Sequence, residues 1–159
     1  MMSGETPDVA DITEILRLLP QRYPFLLIDR VIDIRGEDHG IGIKNVTMNE
    51  PQFGQSAENP VMPGVLVIEG IAQTAGVLAL RLMPPTERRR IMFFVSVDKA
   101  KFRKLVRPGD TLEYHAEKVA SSSPRQSSVT CVDYGAIGVD QRLCGLLSGI
   151  HRLHPRQQP

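Results

Sequence analysis

Pro60-Val61-Met62-Pro63-Gly64-Val65-Leu66-Val67-Ile68-Glu69-Gly70-Ile71-Ala72-Gln73 decides how this chain is read, because a Pro/Gly turn opens an apolar helix that carries one carboxylate. Pro63 suits a first helical turn, where its missing N–H removes no bond, and Pro84-Pro85 ends the run, so the pattern predicts one long helix from Pro63 to about Met83. At about 100° per residue, Glu69, Ala72, Gln73 and Gly76 share one narrow face, while Val65, Leu66, Ile68, Ile71, Ala75, Val77, Leu78 and Leu82 cover the rest. A helix that is apolar almost all round is buried, and only strands on either side of it can do the burying. Small residues beside Glu69 leave room for a ligand or another backbone, which makes it a candidate acid–base group; the plainer reading is a Glu facing water on an amphipathic helix. Gly64 stands where a helix offers N–H groups without intrahelical acceptors, together with its positive dipole end, and can polarise a carbonyl oxygen there; a simple Pro/Gly helix start gives the same pattern.

Upstream, Asp11 to Leu19 carries an N-capping Asp, a Glu three residues later and apolar positions 12, 15, 16 and 19, so a short helix is predicted up to Pro20. Arg22-Tyr23-Pro24-Phe25 reads as a stiff extended turn that sets the start of the first strand. Phe25 to Ile34 and Ile41 to Val46, separated by Gly36, Glu37 and Asp38, predict a hairpin, and Thr47 to Met62 a long connecting loop. Downstream the expected strands are Ile91 to Lys104, Thr111 to Val119, Ser127 to Ile137 and Arg142 to Leu153, with turns at Arg107-Pro108-Gly109-Asp110 and Ser121-Ser122-Ser123-Pro124. The order gives an α+β fold in which a sheet wraps a helix.

A length of 159 residues with 42% hydrophobic content supports one domain over 1–159, with residues 1–10 and 155–159 expected to be disordered tails. Lys and Arg number 19 against 18 Asp and Glu, which leaves no overall charge signal for nucleic acid. No run reads as the roughly 18 apolar residues of a membrane span and no signal-peptide stretch stands at the start, so neither membrane insertion nor export is expected and the cytoplasm is. Cys131 and Cys144 lack metal-ligand spacing, so no metal, cofactor or disulfide is expected.

Leu19-Pro20-Gln21-Arg22-Tyr23-Pro24-Phe25-Leu26-Leu27-Ile28-Asp29-Arg30, Asn49-Glu50-Pro51 and Pro60 to Gln73 resemble the FabZ family of 3-hydroxyacyl-[acyl-carrier-protein] dehydratases. Asp98-Lys99-Ala100-Lys101-Phe102-Arg103 and Pro108-Gly109-Asp110 resemble its later strands. The resemblance implies a hot-dog fold, a long central helix wrapped by an antiparallel sheet, and a homodimer that can assemble further into a hexamer. It implies dehydration of a 3-hydroxyacyl thioester on acyl carrier protein to the trans-2-enoyl thioester in fatty-acid biosynthesis.

In that family a loop His from one subunit faces a helix Glu of the other, and Glu69 matches the Glu. Gly54-Gln55-Ser56 stands where the family has Gly-His-Phe, so Gln55, fourteen residues before Glu69, holds the position of the His. An amide hydrogen-bonds substrate but neither takes nor gives a proton at neutral pH. Gly64, Val65 and Gln73 are candidate substrate contacts, with Gln73 orienting Glu69 and Gly64 N–H polarising the thioester carbonyl; Phe93 and Phe94 are candidates to line an acyl tunnel, one ring facing the core and one the opposite side, with core packing the plainer reading of an aromatic strand position. A basic rim of Lys99, Lys101, Arg103 and Lys104 would dock the acidic carrier protein; a lysine-guarded edge strand is the alternative. A noncatalytic acyl-thioester-binding protein and a hot-dog thioesterase remain as alternative functions.

Overall fold

Helix α1 (Ile12–Leu18) starts where Asp11 accepts the Glu14 N–H at 2.8 Å, a side-chain cap worth about 1 kcal/mol, and it buries Ile15 and Leu18. The computed structural model describes residues 8–54, 58–86, 100, 102, 104–123, 126–131 and 141–146, with backbone alone from 119 onward. Around α1 and the long helix α2 (Gly64–Leu82) run the strands β1 (Asp8–Ala10), β2 (Arg30–Arg35), β3 (His39–Asn45), β4 (Thr111–Ser123), β5 (Gln126–Cys131) and β6 (Gln141–Leu146). They form one antiparallel sheet in the order β1-β2-β3-β4-β5-β6.

The hairpin pairs Arg30 with Ile43 and Ile32 with Ile41. Alternation in β3 places Gly40, Gly42 and Lys44 on the buried side and leaves Ile41 and Ile43 half-buried on the other. The glycines let α2 approach the sheet closely: a Cβ on Gly42 would run into the Thr74 side chain, and one on Gly40 into Leu78. β4 faces α2 with Leu112, Tyr114 and Ala116, and the Tyr114 ring lies against Gly70 of the helix. Val67, Ile71, Val77, Leu78 and Leu80 complete the helix side of this core. By length and composition α2 could cross a membrane, at a mean hydropathy of 1.6, which corrects the expectation that no segment qualifies; here 56% of that window is buried inside the fold.

Four further expectations are corrected. Residues 8–10 are not tail but strand, pairing Asp8 with Ile34 and Ala10 with Val31. Phe25 to Asp29 precede the strand, because the backbone of Phe25 and Leu27 bonds a helix side chain instead of a ladder. Ser121 to Ser123 extend β4, their serine propensity outweighed by pairing with β5 through Ser123 and Gln126. Ala100, Phe102 and Lys104 lie outside any strand, whereas residues 91–99, 132–137 and 147–153 of the expected strands fall outside the described residues. A long helix against an antiparallel sheet is the α+β arrangement of a hot-dog fold.

Candidate active site

Glu69 and Gln73 are one helical turn apart on α2, so their side chains meet. Gln73 is only 2% exposed, and every polar atom of its amide is engaged. Its Oε1 accepts the Leu27 N–H at 2.9 Å, while Nε2 donates to the Phe25 carbonyl at 2.6 Å and to Glu69 Oε1 at 2.9 Å. A backbone N–H can only donate, so Leu27 fixes which end of the amide is oxygen and turns the NH₂ toward the carboxylate. Glu69 is therefore held by a donor that cannot swing away, at the half-buried edge of the helix.

One and a half turns earlier, Gly64 begins α2 after Pro63, and the Leu66 N–H bonds back to the Pro63 carbonyl at 2.9 Å. The Gly64 and Val65 N–H groups have no acceptor within the helix and stand at its positive end. The Phe102 ring packs on Gly64, where an added Cβ would come within 2.5–2.7 Å of ring atoms, so a side chain at 64 would displace it. The Met62 N–H to Val106 carbonyl bond, 2.8 Å, brings this neighbouring segment alongside. Val65 is 67% exposed and Phe102 48% exposed, which puts an apolar rim beside the helix start.

The loop that leads toward position 55 is fastened to β3. Lys44 Nζ donates to Glu50 Oε1 at 2.9 Å with both side chains largely buried, and Glu50 also accepts from Thr47 N–H and Gln52 Nε2. Burial, the largest influence on the Glu50 carboxyl, pushes its pKa up, but the Thr47 N–H, Lys44 and Gln52 together outweigh it and hold the group below its ordinary value. Pro51–Phe53 then forms a 3₁₀ turn, with Phe53 fully buried.

Of the residues singled out in the sequence, Glu69, Gln73, Gly64 and Val65 lie on the first half of α2, and Lys104 is exposed on the segment beside it. Gln55, Phe93, Phe94, Lys99, Lys101 and Arg103 lie outside the described residues. His39 and His115 alternate with Gly40 and Tyr114, which face α2, so both point to the opposite side of the sheet from Glu69. Sequence reasoning missed the Phe25 carbonyl and Leu27 amide, which carry no side-chain signature. It also missed the Lys44–Glu50 pair, whose one signal was a lysine in register with two glycines on β3.

A family profile described as FabA-like domain matches residues 19–144. A protein of Rhodopseudomonas palustris (strain BisB18), named 3-hydroxyacyl-[acyl-carrier-protein] dehydratase FabZ, is 57% identical over 113 residues, covering 70% of this chain and 75% of that protein. A protein of the same name from Rhodopseudomonas palustris (strain TIE-1) is 61% identical over 106 residues, covering 66% and 70%. Among solved structures, the dehydratase heterocomplex ApeI:P from Xenorhabdus doucetiae superposes with a TM-score of 0.63 at 19% identity, over 85% of this chain and 90% of that one. At that identity the likeness speaks for the fold alone.

Proposed function

We propose that this chain, which belongs to the FabA-like family and within it to the FabZ-type 3-hydroxyacyl-[acyl-carrier-protein] dehydratases, removes water from a (3R)-3-hydroxyacyl thioester to give the trans-2-enoyl thioester. It is a lyase of fatty-acid biosynthesis acting on acyl-carrier-protein substrates. The observation that carries the reading is a helix carboxylate locked by a buried amide next to a helix N-terminus, in a chain 57% identical to a named dehydratase.

Elimination breaks C2–H and C3–O, and the C–H electron pair becomes the C2=C3 bond while the hydroxyl leaves as water. Glu69 delivers the proton the leaving hydroxyl needs and is reprotonated with the proton released from C2. The N–H groups of Gly64 and Val65 take up the charge that grows on the thioester oxygen as C2–H breaks. Gln73 does not touch substrate in this account; its amide atoms are all engaged in holding Glu69, Phe25 and Leu27 in place. Gln55 supplies no proton acceptor, and a missing acid–base group lowers the rate by about 10²- to 10⁴-fold.

The working form is a homodimer, three of which can assemble into a hexamer, with the loop of one subunit facing Glu69 of the other. The exposure of Val65 and Leu82 and the half-burial of Ile68, Ala72 and Ala79 along one stripe of α2 support a second copy lying there. Exposed Lys104 supplies part of a basic landing surface for the carrier protein in the cytoplasm, and the charges of Lys99, Lys101 and Arg103, its neighbours in sequence, favour the same acidic partner. The test compares this chain with Gln55→His in releasing water from a 3-hydroxyacyl carrier-protein thioester. Turnover by both, faster in the His variant, is expected. Free thiol release would replace the reading with a thioesterase, and tight binding without turnover in either protein would replace it with a binding protein.

A further inference from the structure

We propose that Arg22 is a positioning residue for the dehydration, setting the orientation of Glu69 through hydrogen bonds that run from the end of α1 to the middle of α2. The inference rests on Glu69 being the reacting carboxylate. It starts from a defect in α1: the Leu16 carbonyl would be met by the N–H of residue 20, but that residue is Pro20 and has none. Arg22 fills the gap. Its Nη2 donates to the Leu16 carbonyl at 2.7 Å, and its Nη1 donates to the carbonyls of Leu19 and Gln21, each at 2.7 Å.

That grip fixes the turn that follows. The Arg22 carbonyl accepts from Phe25 N–H at 2.7 Å and Leu26 N–H at 3.1 Å, so the 22–26 backbone closes on the residue that the guanidinium has pinned. The Phe25 carbonyl then meets Gln73 Nε2 at 2.6 Å, the Leu27 N–H meets Gln73 Oε1 at 2.9 Å, and Gln73 Nε2 meets Glu69 Oε1 at 2.9 Å. Buried as it is, the Gln73 amide has no water to turn to if Phe25 and Leu27 shift, so a displaced turn displaces the donor that faces Glu69. A planar guanidinium spans the Leu16 and Leu19 carbonyls at once; the single ammonium of a lysine does so poorly.

The experiment places Arg22→Met and Arg22→Lys in this chain and in its Gln55→His variant, with Arg81→Met as control. Arg81 also joins α1 to α2, through Glu14 at 2.8 Å, but lies outside the chain of bonds. Arg22→Met is expected to lower kcat about tenfold with KM within about twofold, and to speed hydrogen exchange of the Leu27 amide about tenfold or more. Arg22→Lys restores part of both, Arg81→Met changes neither, and in a Gln73→Ala background Arg22→Met costs no further kcat. An unchanged kcat, a loss that Arg81→Met reproduces, or additivity with Gln73→Ala overturns the proposal. If no background turns over any thioester, the dehydratase reading falls, and the Leu27 amide alone decides for Arg22: faster exchange than in the control upholds the linkage, equal exchange removes it.

Discussion

The two halves of α2 solve the problem of close packing in opposite ways. From Thr74 to Leu82 the helix supplies the side chains and the sheet supplies the space, with Thr74 and Leu78 lying over Gly42 and Gly40 of β3. From Gly64 to Gln73 the helix supplies the space, with Gly64 and Gly70 lying under the rings of Phe102 and Tyr114. The second half is buried from Thr74 to Leu78, and the Thr74 hydroxyl there bonds back to the Gly70 carbonyl at 2.9 Å. The first half keeps one edge half-open and places Glu69 on it. One helix thus carries a packing half and a chemical half, and Gln73 sits at the join.

That division makes Gln73 the residue where a substitution reaches furthest into both halves. Gln73→Leu strands the Leu27 N–H and the Phe25 carbonyl at about 1–3 kcal/mol each and frees Glu69, so urea unfolding and dehydration rate fall together. Leu78→Ala belongs to the packing half alone: it opens a cavity over Gly40 at a cost of about 2–5 kcal/mol, while activity per folded molecule, measured below the unfolding range, stays unchanged. If that variant loses kcat, the two halves are not separate.

Glu50→Gln tests the loop beside the chemical half of α2 through pH. A carboxyl held below its ordinary value stabilises the fold above the unfolded-state pKa, and the contribution is lost as pH falls through the lowered folded-state value. At pH 7 the variant is expected to be about 1.5–3 kcal/mol less stable, with the gap to the unmodified protein closing as pH drops below the ordinary carboxylate range, followed by urea midpoints. Gly42→Ala is the smallest change: a methyl pressed on the Thr74 hydroxyl costs about 1–3 kcal/mol, and a second change, Thr74→Ala, which removes that oxygen, recovers part of it. Full stability in Gly42→Ala would mean that the helix does not need the sheet glycines.

How far the sequence could be read follows from how local each cause is. The Asp11 cap and the proline-bounded apolar run are local, and both helices stand within a residue or two of where they were expected. The β2–β3 hairpin was visible by alternation, but period alone did not say that the glycine side, not the isoleucine side, meets the helix. Strand β1 owes its form to a partner some twenty residues away, and the end of β4 to pairing with β5, so neither shows in its own residues. In the site, Glu69 and Gln73 were legible as an i, i+4 pair on one face. The groups that hold Gln73 are backbone atoms of Phe25 and Leu27, which any residue could supply, and nothing in a list of side chains marks them.

Everything in the proposed chemistry turns on Glu69 handling the proton of the elimination. Its most direct test is Glu69→Gln, made both in this chain and in Gln55→His, with water loss from a 3-hydroxyacyl carrier-protein thioester followed beside the urea midpoint. The rate is expected to fall about 10²- to 10⁴-fold in each background with the midpoint nearly unmoved, since an amide keeps the shape and the contact to Gln73 can re-form. A dehydration rate that survives Glu69→Gln in both backgrounds would contradict it.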